Sequence, residues 1–281
     1  MKRYTFLLIL LFTSLSHAAK VDTLAIPSAA MGKTYNAAVA LPDSYSKGKK
    51  KYPVLYLLHG AYGHFRDWLN STPDKNTVKR LADQYSIIIV MPEGEQFSFY
   101  LDSPTNKGSQ FETYITSEVV TMIDKTYRTV ADRKGRVIAG LSMGGHGAMY
   151  LAAKHPDLYS AVGSMSGALD MGNIINDDWV KNLEPVFGPQ RLPQEVYASY
   201  SVMNMVNKIK ANGLPIIMDI GVDDFLIDSN RELHRRLVYA KVPHDYIERP
   251  GAHTWEYWQD ALPFQVLFLY NVLEKNGVAV R

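Results

Sequence analysis

The stretch that most constrains the fold is Arg136-Val-Ile-Ala-Gly-Leu-Ser-Met-Gly-Gly-His-Gly-Ala-Met-Tyr150. Val137, Ile138 and Ala139 form an apolar run that suits a buried strand, and Ala148, Met149, Leu151 and Ala152 continue at helical spacing. Between them Gly140, Gly144 and Gly145 surround Ser142 with residues that lack a Cβ. A G-x-S-x-G pattern between an apolar run and a small-residue helix makes a nucleophile elbow, with the serine strained and exposed at a strand-to-helix corner. The glycines are required because the two backbones pass too close there for side chains. A Gly/Ser turn at a phosphate site is the competing reading, but no Lys follows the glycines as a P-loop requires.

Such a corner needs a sheet around it, and the rest of the chain supplies one. Segments 21–26 and 34–41 are rich in Val, Ala, Thr and Tyr around a turn at Met31-Gly32-Lys33, which predicts an antiparallel hairpin at a sheet edge. Segments 52–58 and 86–91 are almost wholly apolar, as strands buried on both faces are. Further strands are predicted at 159–165, 215–220 and 244–249. Helical patterns fall at 76–84, from Ser109, around 202–209, from Ser229, and over the last stretch through Trp258, Leu262, Val266, Leu269 and Leu273. Ser109-Gln-Phe-Glu112 and Ser229-Asn-Arg-Glu232 read as capping boxes. His155-Pro156 should end the elbow helix, and Pro263 predicts a kink or break in the final one. Residues 170–201 carry Gly and Pro without a clean period, and predict short helices forming a cap-like insertion over the active face. The alternation gives an α/β fold: a mostly parallel central sheet, an antiparallel N-terminal hairpin and helices on both faces. In such sheets reactive groups sit on loops at the carboxyl ends of the strands.

The first residues form a class of their own. A basic start at Lys2 and Arg3, the apolar run Leu7–Phe12 and the small residues Ser16-His17-Ala18 predict a signal peptide over 1–18, with one domain over 19–281. That apolar run is too short to span a bilayer. The expected location is therefore secreted or periplasmic. The chain has no cysteine, which excludes a thiol nucleophile, a thiolate metal site and disulfides. No His/carboxylate cluster has ligand spacing, so neither metal nor other cofactor is expected. A net charge of +2 gives no footprint for nucleic acid, and Lys47-Gly-Lys-Lys-Lys51 reads as a solvated loop.

Ser142 needs a base, and the base needs a carboxylate to fix its tautomer. In this architecture their chain order is Ser, Asp or Glu, then His. Of the eight histidines, His59 and His64 precede the serine, His146 should face helix packing, and His155 lies at a helix end. His234 lies beside two arginines and reads as solvated, while His244 opens a strand at its amino end. His253 alone follows a strand in a Pro-Gly loop ahead of a helix. Asp223 and Asp224 both follow the strand ending at Ile220, and chain order supports them equally. The two backbone donors of an oxyanion hole should come from Met143, after the nucleophile, and from Ala61, in the loop after His59-Gly60.

Leu57-Leu-His-Gly60, Met91-Pro-Glu-Gly94, Phe111-Glu-Thr-Tyr114, Gly140-Leu-Ser-Met-Gly-Gly-His-Gly-Ala148, Ser164-Met-Ser-Gly167, Gly221-Val-Asp-Asp-Phe-Leu226 and Gly251-Ala-His-Thr-Trp255 together resemble the esterase D-like branch of α/β-hydrolases. That branch includes feruloyl esterases, S-formylglutathione hydrolases, small-ester esterases and mycobacterial mycolyltransferases. The resemblance implies the α/β-hydrolase fold, Ser142 as nucleophile, His253 and Asp224 (rather than Asp223) as partners, and Ala61 and Met143 as oxyanion donors. Together with the predicted signal peptide, it implies an exported serine esterase working through an acyl-enzyme on feruloyl or acetyl groups of plant-type polysaccharides. The alternatives are a general short-chain carboxylesterase, an acyltransferase, or an idle carbohydrate-binding member of the fold. S-formylglutathione hydrolases are usually cytosolic and contain Cys, and this chain departs from them on both counts. Tyr62, Phe65, Trp68, Tyr100, Trp179, Phe225 and Trp255 are the aromatic candidates for contacting substrate.

Overall fold

The structure, a computed structural model, describes residues 19–174 and 177–279; the expected signal peptide lies outside the described residues. Eight strands form one sheet in the order β1-β2-β4-β3-β5-β6-β7-β8. They are β1 (Lys20–Ser28), β2 (Lys33–Leu41), β3 (Val54–Leu58), β4 (Ile88–Pro92), β5 (Arg136–Leu141), β6 (Val162–Met165), β7 (Ile216–Gly221) and β8 (Asp245–Arg249). The hairpin β1–β2 stands at one edge, with Leu24 opposite Ala37, and β2 runs antiparallel to β4. From β4 to β8 every pairing is parallel.

The apolar runs in the sequence explain this arrangement. Every residue of β3, β4, β5, β6 and β7 is buried, so these strands have no solvent face. Alternate residues feed two cores. Val54, Tyr56 and Leu58 of β3 join a core with Tyr114, Met149, Ile209 and Leu233. Leu55 and Leu57 join a second with Val78, Leu81, Leu262, Val266 and Leu269. Helices Thr77–Tyr85 and Trp255–Lys275 therefore cover one face, and Met143–Lys154, Val206–Asn212 and Ile227–Tyr239 the other. Each fully buried Val, Leu or Ile contributes about 1.5–3 kcal/mol relative to an exposed one, so the strand ends that carry the loops are firmly held.

Both predicted capping boxes are absent, for one physical reason: an aspartate upstream already binds the start of each helix. Thr113 donates its N–H to Asp102 Oδ1 at 2.9 Å and its hydroxyl to Oδ2 at 2.6 Å, while Glu112 turns away to Lys154 and His155. The second helix starts at Ile227, so Ser229 is already inside it; Leu226 N–H donates to Asp224 Oδ1 at 2.8 Å, and Glu232 pairs with Arg235 and Arg236. Pro263 does not break the last helix, which runs unbroken from Trp255 to Lys275. It lies on the exposed side, where water can serve the carbonyl that loses its N–H partner. His155 ends the elbow helix as expected. His234 is not free in solvent: its ring stacks on Tyr246 at 4.2 Å, and its Nδ1 lies 2.8 Å from His244 Nε2. Among residues 170–201 the described segments include the short helices Met171–Ile174, Asp177–Asn182, Glu184–Phe187 and Gln194–Ser199.

Candidate active site

Ser142 stands between β5 and the helix Met143–Lys154 with φ 53° and ψ −117°, a conformation that L-residues avoid. Packing holds it there. Its N–H donates to Met165 O at 2.9 Å, and its carbonyl accepts from His146 N–H and Ala168 N–H at 3.0 and 3.1 Å. The loop after β3 lies directly on this corner: a Cβ added to Gly60 would meet Leu141 Cδ1 at 2.5 Å and Ser142 Cβ at 3.4 Å.

The loops after β7 and β8 converge on the serine. His253 Nε2 lies 3.0 Å from Ser142 Oγ, and His253 Nδ1 lies 2.8 Å from Asp224 Oδ2. The carboxylate accepts Nδ1–H, which leaves Nε2 free to accept the serine hydroxyl. The two loops touch so closely that a Cβ at Gly221 would fall 2.2 Å from Gly251 O. Asp224 is 2 % exposed, whereas Asp223 faces solvent and, among the described residues, contributes only its backbone N–H, to Gly251 O at 2.9 Å. Geometry thus separates two aspartates that chain order could not.

Burial alone would push the Asp224 carboxyl up. The hydrogen bond and charge of His253, the Leu226 N–H and the Ser166 hydroxyl outweigh it and hold the group below the usual carboxylate range. Ser166 lies in the Ser164-Met-Ser-Gly167 stretch, to which the sequence reading gives no role. It is buried just after β6 with φ 48°, and its oxygen accepts Trp258 Nε1–H at 3.1 Å. The signals available are the family likeness of that stretch and its place at the end of a buried strand. The His253 ring is flanked by Phe225 at 4.6 Å and by Trp258, edge-on, at 4.8 Å.

Met143 follows the serine in the chain, and Ala61 follows Gly60, whose backbone lies against Ser142. Neither backbone N–H has an acceptor among the described residues. The remaining aromatic candidates divide. Tyr62 is 69 % exposed and Phe225 68 % exposed. Tyr62 packs edge-on against Phe97 at 4.5 Å, Phe97 against Trp179 at 6.0 Å, and Tyr62 Oη accepts Asn182 Nδ2–H at 3.2 Å. Tyr62 and Phe97 also line a cavity of about 470 Å³ with Glu93, Glu95 and Pro185. Trp255 is placed differently: its ring packs edge-on against Trp68 and Trp258, on the helix side of the histidine loop. Trp68 and Tyr100 are core residues, their polar tips donating to Leu58 O at 3.1 Å and His59 O at 3.0 Å, and Phe65 packs against the same core as Trp68. They were plausible in sequence because they flank the Gly-rich loops.

Comparison with known proteins accords with this geometry. The Esterase family model matches residues 28–269. An acetyl esterase of Caldicellulosiruptor saccharolyticus is 30 % identical over 216 residues, covering 73 % of this chain and 78 % of the relative. Diacylglycerol acyltransferase/mycolyltransferase Ag85A of Mycobacterium ulcerans is 29 % identical over 275 residues, covering 85 % of this chain and 77 % of the relative. A solved structure of a ferulic acid esterase superposes with a TM-score of 0.78 at 31 % identity, covering 91 % of this chain and 98 % of that one. The chain belongs to the Esterase family: it is a serine hydrolase of α/β-hydrolase fold that acts on carboxylic esters.

Proposed function

We propose that this chain is an exported esterase that removes acyl groups, acetyl or feruloyl, from a polysaccharide. Ser142 Oγ attacks the ester carbonyl carbon while His253 Nε2 takes its proton. The carbonyl oxygen becomes an oxyanion, bound by the N–H groups of Ala61 and Met143. Collapse expels the alcohol, which recovers the proton from His253 and leaves an acyl group on Ser142. Water then repeats the sequence, and the carboxylic acid departs. Asp224 holds the imidazole tautomer and stabilises the imidazolium. The observation that carries this reading is the unbroken run Ser142–His253–Asp224, at 3.0 and 2.8 Å.

The substrate class is supported by a relative named as an acetyl esterase, a structural neighbour named as a ferulic acid esterase, and the aromatic rings of Tyr62, Phe97 and Trp179 beside Ala61. On this reading the short helices between Met171 and Ser199 act as a cap that brings Trp179 and Asn182 to that side of the cleft. A general short-chain carboxylesterase is the second reading, favoured by the exposure of Tyr62 and Phe225 on either side of the serine, which leaves the cleft open. Ser142→Ala should abolish hydrolysis of p-nitrophenyl acetate while the thermal melt is kept; persisting turnover would sink the mechanism. A panel of methyl ferulate, acetylated xylan and p-nitrophenyl esters of rising chain length separates the two substrate readings, since equal rates on all small esters favour the second. Export is tested by whether the mature chain found outside the cytoplasm begins at Ala19.

A further inference from the structure

His59, the residue after β3, takes no part in the chemistry above, yet it is 1 % exposed and bonded at both ring nitrogens. Nδ1 lies 2.8 Å from Gly60 O, and Nε2 accepts Gly94 N–H at 2.9 Å. A carbonyl oxygen can only accept, so Nδ1 carries the proton and donates to Gly60. The ring has little room to turn, with Tyr100 edge-on at 5.8 Å.

The Gly60 carbonyl and the Ala61 N–H belong to one planar trans peptide, in which they point in opposite directions. Fixing the carbonyl toward His59 therefore fixes the N–H away from it. Gly63 N–H, at 3.3 Å, holds the same carbonyl from a second side. The Ala61 N–H that results has no acceptor among the described residues, in a loop pressed against Ser142. A flipped peptide would instead turn a carbonyl oxygen toward the serine, where it would repel an oxyanion. We propose that His59 is a positioning residue for the oxyanion hole, whose Nδ1–H locks the Gly60–Ala61 peptide with its N–H presented at Ser142. Through Nε2 this lock is tied to Gly94, so the hole is coupled to the loop after β4, whose Glu93, Glu95 and Phe97 line the neighbouring cavity.

The inference rests on the reading of Ser142 as nucleophile and Ala61 as oxyanion donor. Two polar substitutions separate the lock from mere filling of the core. In His59→Asn the side-chain amide can place a donor near the Nδ1 position. In His59→Gln the longer side chain reaches Gly94 but loses the donor to Gly60. Both are compared with the native chain for kcat and KM on p-nitrophenyl acetate, for the inhibition constant of a trifluoromethyl ketone that forms an oxyanion on serine, and for thermal melting. The expected result is a loss of about 100-fold in kcat for His59→Gln with KM nearly unchanged, a parallel loss of ketone affinity, and recovery of most of both in His59→Asn. Equal activity of His59→Gln and the native chain overturns the proposal, as do losses that follow the melting temperature alike in both variants. Should Ser142→Ala stay active, the underlying mechanism fails; an inactive Ser142→Ala beside a fully active His59→Gln removes only the lock.

Discussion

Replacing Asp224 with Asn tests the site most sharply, because the structure dictates how the new amide must sit. Oδ1 of Asp224 accepts Leu226 N–H at 2.8 Å and Oδ2 accepts His253 Nδ1–H at 2.8 Å. An amide has one acceptor end and one donor end. Its oxygen must face the backbone N–H of Leu226, which cannot change role. The NH2 group then faces His253 Nδ1, and the imidazole can accept from it only as the other tautomer, with the proton on Nε2. That proton points at Ser142 Oγ, so Nε2 can no longer take the serine proton. The stabilisation of the imidazolium by a carboxylate is lost as well.

A wrong tautomer of this kind in a serine triad lowers kcat by about 10⁴-fold, which corresponds to about 5.4 kcal/mol of transition-state stabilisation. Asp223→Asn is the matched control, since Asp223 faces solvent and uses only its backbone N–H, which the substitution keeps. Its kcat should stay within about twofold, as for most surface changes. The assay is steady-state hydrolysis of p-nitrophenyl acetate at pH 7–8, with melting curves to show that both variants fold. A loss under about tenfold for Asp224→Asn, or a larger loss for Asp223→Asn, would refute the tautomer argument.

Two further outcomes follow from buried ionisable groups. His146 is fully buried on the elbow helix, and burial pushes its pKa down from 6.5 to about 4, partly offset by its hydrogen bond to Tyr200 O. The folded chain therefore binds the proton less readily than the unfolded one. Stability owed to this group is intact above pH 6.5 and falls as the pH drops toward 4, by about 1.4 kcal/mol per unit and about 3 kcal/mol in all. Denaturant titrations from pH 7 to 4.5 should show a shallower loss for His146→Leu than for the native chain, and identical slopes would count against it. Arg249 Nη2 donates to the fully buried Asp219 at 2.7 Å, with Tyr257 Oη on the other carboxylate oxygen. Arg249→Met strands that carboxylate and should cost about 3 kcal/mol, at the lower end for a buried pair because the arginine is partly exposed. An unchanged denaturation midpoint would show that Tyr257 suffices.

The fold was readable where the chain has no choice. Strands β3 to β7 are buried on both faces, and only near-continuous apolar runs tolerate that, so the runs mark them. His253 stands out in the sequence because it alone combines a strand end, a Pro-Gly loop and a following helix, and the structure places its ring 3.0 Å from Ser142 Oγ. Asp224 was not separable from Asp223 by the residues themselves: adjacent residues in a turn point in different directions, and backbone hydrogen bonds to Gly251 and Gly221 decide which one is buried. The capping boxes misled because a four-residue pattern cannot register a competing acceptor from a preceding loop, which here is Asp102 or Asp224. The hydrogen bonds of Ser166 and of the His59 ring were not legible for a similar reason. Their partners, Trp258 and Gly94, lie 92 and 35 residues away in the chain.

On the proposed mechanism, the distribution of backbone strain explains why these particular loops, and not their counterparts at the other end of the sheet, carry the chemistry. Among the described residues eight non-glycine residues have positive φ: Tyr62, Ser86, Glu95, Phe99, Tyr100, Ser142, Ser166 and Lys241. Ser86 and Lys241 merely close helices ahead of β4 and β8. The other six follow β3, β4, β5 and β6 at their carboxyl ends. Each such residue costs about 1–3 kcal/mol and persists only where its surroundings over-determine it. Here the surroundings are strands without a solvent face, so the strain cannot relax by fraying. What it secures is direction: Tyr62 follows Ala61, Ser142 projects its oxygen to His253, and Ser166 turns its hydroxyl to Asp224. On the proposed mechanism, a sheet end that stores strain at the oxyanion loop, the nucleophile and the carboxylate's partner has its donors and acceptors aimed before substrate arrives, which is what stabilising a transient oxyanion demands.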